Sequence, residues 1–395
     1  MTAPASLPLR VLVVANNEPW PLNGGGPLRL HNFLRGLATR AKVTLALPRP
    51  PRYAEHMPAG LRLESVDDGA AHLRSRTAVP GVMRWVRRHF GHSPALAAWL
   101  EANARPERFD AALLYGAVTG EYIDALRIPV VWDPADDLVL YFIRDAARHA
   151  MRGWPSALRA AVVSAVFERY VARRARATVF CSTVDASYAR RWVGGARVET
   201  IAGGVDFDYF SGPTQAPESG TVAFIGSLSF PPNVDGIVRF ATRVWPRVRR
   251  AAAACRLLVV GRQPAEAVQR LAALPGVELH ADVPDVRPYL SRAAVVVVPT
   301  RLGGGLKNKV LEACAMRRPV VASPRALAGL SARRGRDVLC ATDEAVWVRQ
   351  VARLLACEGA ARFIGASGQD WVRRTHRWPV QAARLHALLA EVACR

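Results

Sequence analysis

The chain has 395 residues, 51% of them hydrophobic and 22% charged, and carries a formal net charge of +22. That length exceeds one ordinary core and implies two domains, while that composition excludes a disordered chain. The charge favours anionic partners such as nucleotides, nucleic acid or an acidic membrane face, although heavy use of Arg and Ala with scarce Lys also resembles high-GC coding bias.

The six cysteines, at 181, 255, 314, 340, 357 and 394, show no CxxC or Cys/His ligand spacing. Neither a zinc site nor a disulfide framework is expected, and a reduced, cytosolic setting fits best. The start, MTAPASLPLRVLVVA, lacks the positive lead and long apolar run of a signal peptide. Apolar runs such as AAVVVV (293–298) fall far short of the roughly 20 residues that a membrane-spanning helix needs. A soluble or peripheral protein is the expectation.

In chain order, RVLVVA (10–15) reads as a buried strand, and residues 27–40 place Leu30, Phe33, Leu34 and Leu37 on one helical face. Further strands are predicted at 42–48, 111–116, 128–133, 177–182 and 197–202. Residues 203–220, rich in Gly, Pro, Ser and acids, read as a linker. The pattern then restarts with a strand at 221–227, a helix at 233–250, and strands at 255–261, 277–281, 294–300 and 318–323. Short β-branched runs alternating with helices predict parallel sheets, hence two doubly wound α/β domains. The boundaries expected are 1–205 and 206–376, with a terminal helix over 377–395 that is a candidate to cross back onto the first domain.

Ligands of such sheets bind beyond the carboxyl ends of the strands. No GxGxxG follows the first strand, and a Walker loop would need Gly where Asn308 stands. What remains is a glycine-rich loop entering a helix in each half: Gly24, Gly25 and Gly26, and Gly303, Gly304 and Gly305. Glycines allow backbone N–H groups close to a phosphate, and a helix N-terminus adds a favourable dipole; a plain flexible turn is the alternative at Gly24–Gly26. Lysine occurs only at 42, 307 and 309, so two of three lysines follow the second loop, with Glu312 just beyond. Lys307 and Lys309 suit a diphosphate and Glu312 a ribose diol, whereas a simple surface Lys–Glu pair would give the same spacing.

In VVWDPADDLVLYF, Asp133, Asp136 and Asp137 follow a strand. Asp133 and Asp136 are candidates to bind or deprotonate an acceptor hydroxyl, and each is equally a helix cap. Residues 81–100 mix Arg84, Arg87 and Arg88 with Met83, Trp85 and Phe90. Such a helix suits an anionic membrane surface, or else a solvated helix packed on the core by its apolar residues.

GGGLKNKVLEACAMRRPVVAS, preceded by VVVVPT, resembles the donor-binding motif of family-4 glycosyltransferases of the GT-B fold. AFIGSLSFPPNVDGIVRFATRVWPRV, LLVVGRQP, GVELHADVPDVRPYLSRAAVVVVPT, VETIAGGVDFDYF and PWPLNGGGPLRLHNFLRGLATRAKVTLA resemble neighbouring pieces of that family in order. The resemblance is greatest to the exopolysaccharide-associated sugar transferases, and covers roughly residues 9–380. It implies two Rossmann-like domains facing across a cleft, and retaining transfer of a sugar from a nucleotide-diphosphate donor without a cofactor or bound metal. It also implies a sugar, lipid-linked or small-molecule acceptor, in surface polysaccharide, lipid-linked glycan or natural-product glycoside assembly. Carried onto this chain, it places Glu312 at the ribose, with Lys307, Asn308, Lys309 and Gly303–Gly305 about the diphosphate and sugar. Gly226, Ser227, Gly261, Arg262 and Val283 would line the nucleotide pocket. Fixed cations are what a departing diphosphate requires.

Two departures stand out. Many relatives carry two glutamates separated by seven residues, and the first of these positions is Gly304 here. The Arg and Lys that often follow the first strand of the second domain are replaced by GSLSFPPNVDG, so charge stabilisation would fall on Lys307 and Lys309, with Arg262 or Arg301 as helpers. The competing expectations are a nucleotide-sugar 2-epimerase on the same fold, and a basic nucleic-acid-binding protein with steeply salt-dependent affinity. The localised cationic motif at 301–312 favours a small diphosphate over nucleic acid.

Overall fold

The computed structural model describes residues 8–22, 24–66, 81–135, 138–139, 154–211, 216–252, 254–302 and 306–394. The chain divides into two compact units, Met1–Gly203 with Trp378–Arg395, and Gly204–Arg377. Each is a parallel sheet between two helical layers. Among the described residues, no helix is long and apolar enough to cross a membrane.

The first unit holds β1 (Arg10–Ala15), β2 (Lys42–Leu47), β3 (Leu61–Ser65), β4 (Ala111–Tyr115), β5 (Val130–Ala135), β6 (Ala177–Phe180) and β7 (Val198–Thr200). Their order is β3-β2-β1-β4-β5-β6-β7, with every pairing parallel. The central strands are buried on both faces, as continuous Val and Leu runs require. On one face Val11, Val13 and Leu113 pack with Phe33, Leu34 and Leu37 of α1 (Gly25–Ala38). On the other, Leu12, Val14 and Trp132 meet α2 (Gly81–Phe90), α3 (Pro94–Asn103) and α4 (Trp154–Ala172). The short helix α5 (Thr183–Ala189) follows β6.

In the second unit, β8 (Thr221–Ile225), β9 (Arg256–Gly261), β10 (Val277–Ala281), β11 (Val295–Val298), β12 (Val320–Ala322) and β13 (Leu339–Cys340) pair in the order β10-β9-β8-β11-β12-β13. One face carries α6 (Pro231–Arg239), α7 (Trp245–Ala251) and α10 (Glu344–Ala356). Around it run α8 (Arg287–Arg292), α9 (Asn308–Ala315) and α11 (Glu358–Thr375), which contribute Leu290, Val310, Leu311, Trp371 and Val372 to the other core.

The last helix, α12 (Trp378–Ala393), belongs to the first unit and lies along α1. Trp378 meets the Phe33 ring edge-on at 6.0 Å, and Arg197 forms an ion pair of 2.9 Å with Glu391. Gly36 permits the approach: a Cβ there would stand 2.3 Å from the Ala382 Cβ.

Three elements differ from their predicted form. The helix expected over 233–250 is interrupted by a π-turn at Phe240–Val244, just ahead of Pro246, because proline has no N–H to continue the ladder. Residues 81–100 form two helices, since Gly91 adopts φ 87° and Ser93 starts α3 by accepting from the Leu96 N–H at 3.0 Å. The linker over 203–220 contains the short helix Phe207–Phe210 and is fixed at Val205, whose N–H donates to the His376 carbonyl at 2.7 Å.

Candidate active site

The second unit gathers its chemistry beyond the carboxyl ends of β8 and β9. Gly226 follows β8 and Gly261 ends β9, with φ values of 149° and 159°. A Cβ on Gly261 would fall 1.7 Å from the Gly226 carbonyl oxygen, so only glycine allows the two backbones to meet. The Leu228 N–H donates to the Arg262 carbonyl at 2.8 Å, and the Asp282 N–H to the Gly261 carbonyl at 2.8 Å. These bonds lace together the loops after β8, β9 and β10.

Lys309 reaches this seam from the first turn of α9, with 9% of its surface exposed. A Cβ on Gly226 would lie 2.5 Å from its Nζ, so that glycine makes room for the ammonium. Nζ donates to Asn233 Oδ1 at 2.7 Å and lies 4.4 Å from the centre of the Phe224 ring, a cation–π distance. The amide is oriented in turn by Asn233 Nδ2, which donates to the Ser227 carbonyl at 2.8 Å. An ammonium has three donors, and one of them is engaged here by a described residue.

Burial pushes Lys309 down to about 7, with the nearby Glu312 carboxylate opposing. Burial likewise pushes Glu312 up to about 7, with Lys309 opposing. The Glu312 carboxyl is enclosed by protein, although part of its side chain is reachable by water. Both shifts share one cause, burial, which favours the neutral form of each group, while each charge partly offsets the shift of the other. Such a site presents positive charge most strongly under neutral or mildly acidic conditions.

Lys307 and Asn308 are half-buried at the start of α9, Ser227 and Arg262 are exposed, and Val283 is half-buried against the core. The structure therefore brings Lys309, Gly226, Ser227, Gly261 and Arg262 into one neighbourhood. Gly303, Gly304 and Gly305 lie outside the described residues. Asn233 and Phe224 were not singled out from sequence. The position of Asn233 opening a helix after β8 is the signal that points to it in retrospect.

In the first unit, Gly24 takes φ 109° and α1 begins at Gly25, with Gly24, Gly25 and Gly26 all exposed. Tyr115, at the end of β4, donates its hydroxyl to the Gly26 carbonyl at 2.7 Å. Asp133 is wholly buried at the end of β5. Its Oδ2 accepts from Arg29 Nε at 3.1 Å and Nη2 at 2.9 Å, and its Oδ1 from the Ala135 N–H at 2.9 Å. From sequence, Asp133 is a candidate to bind or deprotonate an acceptor hydroxyl, or to cap a helix; the structure places its carboxylate on Arg29 and the Ala135 N–H. Its role is structural, fixing α1 to β5 beside a backbone turn at Ala135 with φ 66°. Asp136 and Asp137 lie outside the described residues.

Of the three arginines proposed for α2, Arg87 also turns inward. It binds Glu121 Oε2 at 3.1 Å, which His92 Nδ1 contacts at 2.7 Å. Arg84 and Arg88 remain exposed, while Met83 and Val86 enter the core.

Residues 219–357 match the family described as glycosyl transferases group 1. No curated protein matches the chain. Among solved structures, sucrose-phosphate synthase from Thermosynechococcus elongatus is similar at 16% identity and a TM-score of 0.69, covering 97% of this chain and 99% of that one. HepE of Anabaena, solved with UDP and glucose, gives 14% identity and 0.62 over 97% and 99%. Trehalose 6-phosphate synthase from Burkholderia multivorans gives 13% and 0.65 over 98% and 99%. The fold is thus that of GT-B glycosyltransferases, and the match to the group 1 description falls within the second unit.

Replacing Arg29 by Met leaves the buried Asp133 carboxylate without its counter-ion and should destabilise the protein by about 3–5 kcal/mol. Adding Asp133→Leu should restore most of that loss. Urea unfolding of the wild type and both variants checks this; an equal loss in the single and double variants would show that the two groups are not coupled.

Proposed function

We propose that the chain transfers a hexosyl group from a nucleoside-diphosphate sugar to an acceptor hydroxyl, with retention at the anomeric carbon and without a metal ion. The observation that carries this reading is the buried Lys309 ammonium, held by Asn233 against the glycine seam of β8 and β9, with Glu312 one turn further along α9. A diphosphate accepts the remaining ammonium donors, and Glu312 takes the ribose hydroxyls. As the acceptor oxygen bonds to the anomeric carbon, the bond from that carbon to the diphosphate breaks. The acceptor proton passes to the departing diphosphate, whose growing charge Lys309 and Lys307 stabilise.

The first unit is assigned the acceptor at its strand ends, and its exposed Gly24–Gly26 turn is assigned to donor binding. Support for a uridine nucleotide comes from similar folds, since HepE was solved with UDP and with UDP-glucose. A mutant form of TarM from S. aureus was solved with alpha-GlcNAc-glycerol and UDP. Assembly of a surface polysaccharide, a lipid-linked glycan or a glycosylated natural product is the setting proposed, on the cytoplasmic side of the cell membrane.

Peripheral membrane contact has its own support on α4. Leu158, Val162 and Val166 follow one another at four-residue spacing, 45%, 57% and 51% exposed, which aligns them along one helical line. Arg159, Arg169 and Arg173 are exposed nearby, and α2 with Arg84 and Arg88 packs against the same helix. An apolar line flanked by arginines suits an anionic bilayer surface.

Thermal stabilisation across UDP-, GDP-, dTDP- and ADP-glucose should identify one donor nucleotide, and stabilisation by none of them would remove the reading's support. For the nucleotide sugar that binds, affinity should fall about tenfold from pH 6 to pH 8, as Lys309 loses its proton near 7. Lys309→Met should abolish that pH dependence and depress turnover about a hundredfold or more, with little change in unfolding midpoint. An unaltered pH profile in this variant would dissociate Lys309 from the diphosphate.

For the membrane, Val162→Glu with Val166→Glu should lower partitioning onto vesicles of phosphatidylserine and phosphatidylcholine by about tenfold or more. Co-sedimentation equal to that of the wild type would count against α4 as the contact.

A further inference from the structure

The second unit contains a cavity of 330 Å³ that involves neither Lys309 nor the β8–β9 glycine seam. It opens beyond the carboxyl ends of β11, β12 and β13. Its walls come from α6 and the π-turn (Arg239, Phe240), from the segment after β12 (Arg325), and from the entry to α10 (Thr342, Trp347); Arg301 follows β11 at its edge. This is the end of a parallel sheet where ligands bind, and the volume lies within the range of small-molecule sites.

The charges on its walls are not equivalent. Glu344 is surrounded by arginines: Arg239 at 2.8 Å, Arg247 at 3.8 Å and Arg243 at 3.9 Å. Asp343 is occupied as the cap of α10, accepting from the Val346 N–H at 2.9 Å. Arg301 forms an ion pair with Asp235 at 3.4 Å. Arg325 has no such partner among the described residues, and its Nε is buried without an acceptor there. The Nε is enclosed by protein, so what Arg325 offers to the cavity is its terminal guanidinium nitrogens. The opposite wall is apolar, formed by Phe240 and Trp347, whose rings pack edge to face at 5.4 Å.

We propose that this cavity binds a small phosphate monoester, its phosphate on Arg325 and its carbon skeleton against Phe240 and Trp347. The arginine fork matches phosphate oxygens in pairs; Glu344 is offset by three arginines, and Asp343 remains an anion with its Oδ1 engaged by the Val346 N–H. The site lies outside the donor machinery proposed above and holds whether or not that assignment does. Arg301, at its edge, precedes Lys307 and Lys309 in the sequence.

Calorimetric titration of the full chain with glycerol 3-phosphate, and with glycerol as the uncharged control, tests this. Binding of the phosphate ester but not of glycerol is expected. Arg325→Ala should weaken it about tenfold or more, and Arg325→Lys, which keeps the charge but loses the fork, by less. Lys309→Met should leave it unchanged, which separates this site from the one on α9. Melting curves establish that each variant is folded, and if Arg325→Ala is not, the Arg325→Lys comparison decides. The proposal is overturned by no binding at all, by equal affinity in the folded Arg325 variants, or by loss of binding in Lys309→Met.

Discussion

The second unit's site depends on one backbone contact, the approach of Gly261 to the carbonyl of Gly226. With any side chain at 261, a Cβ would occupy the space of that oxygen, 1.7 Å away, and the loops after β8 and β9 would part. The contact does more than close the sheet end. It sets the backbone of Gly226 where the Lys309 ammonium packs, and the turn after β8 then places Ser227 to orient Asn233. Lys309, Asn233 and the two glycines therefore form one construction, in which the amide bonds to the lysine and the glycines leave the space for it.

The two units solve a shared problem in opposite ways. Both are parallel sheets with a cationic side chain from a helix reaching the strand ends. In the first unit the cation is Arg29, and a wholly buried aspartate neutralises it. The ion pair is held at both carboxylate oxygens and acts as a bolt between α1 and β5. In the second unit the cation is Lys309, whose hydrogen-bond partner is a neutral amide. A neutral partner satisfies one donor without cancelling the charge, so the ammonium keeps its attraction for an anion. That contrast separates a structural cation from one suited to a ligand.

Strand positions were legible because strands buried on both faces must be continuous runs of Val, Leu and Ala, as in Arg256–Gly261 and Val295–Val298. β3 and β13 were not, since Leu61–Ser65 is a half-buried edge strand and Leu339–Cys340 has only two residues. Lys309 was visible through the rarity of lysine and the glycines before it. The orientation of Asp133 was hidden, because its partner Arg29 lies 104 residues away and nothing local distinguishes a paired carboxylate from a free one. The Arg87–Glu121 pair was hidden for a related reason: a basic helix face looks the same in sequence whether a buried acid such as Glu121 waits beneath it or not.

The choice of lysine at 309 has a physical basis in a chain whose 54 Lys and Arg residues include lysine only at 42, 307 and 309. An arginine there would bring a planar group into the pocket where Nζ already packs against Gly226 and Asn233. It would also stay charged under all ordinary conditions, so an empty site would bear the full penalty of a buried cation. Lysine can release its proton when buried, and burial brings Lys309 to about 7. On the proposed function, an arriving diphosphate would favour the charged form and draw the proton back. The empty site is then tolerable and the occupied one strongly attractive, a difference that a group charged in both states could not supply.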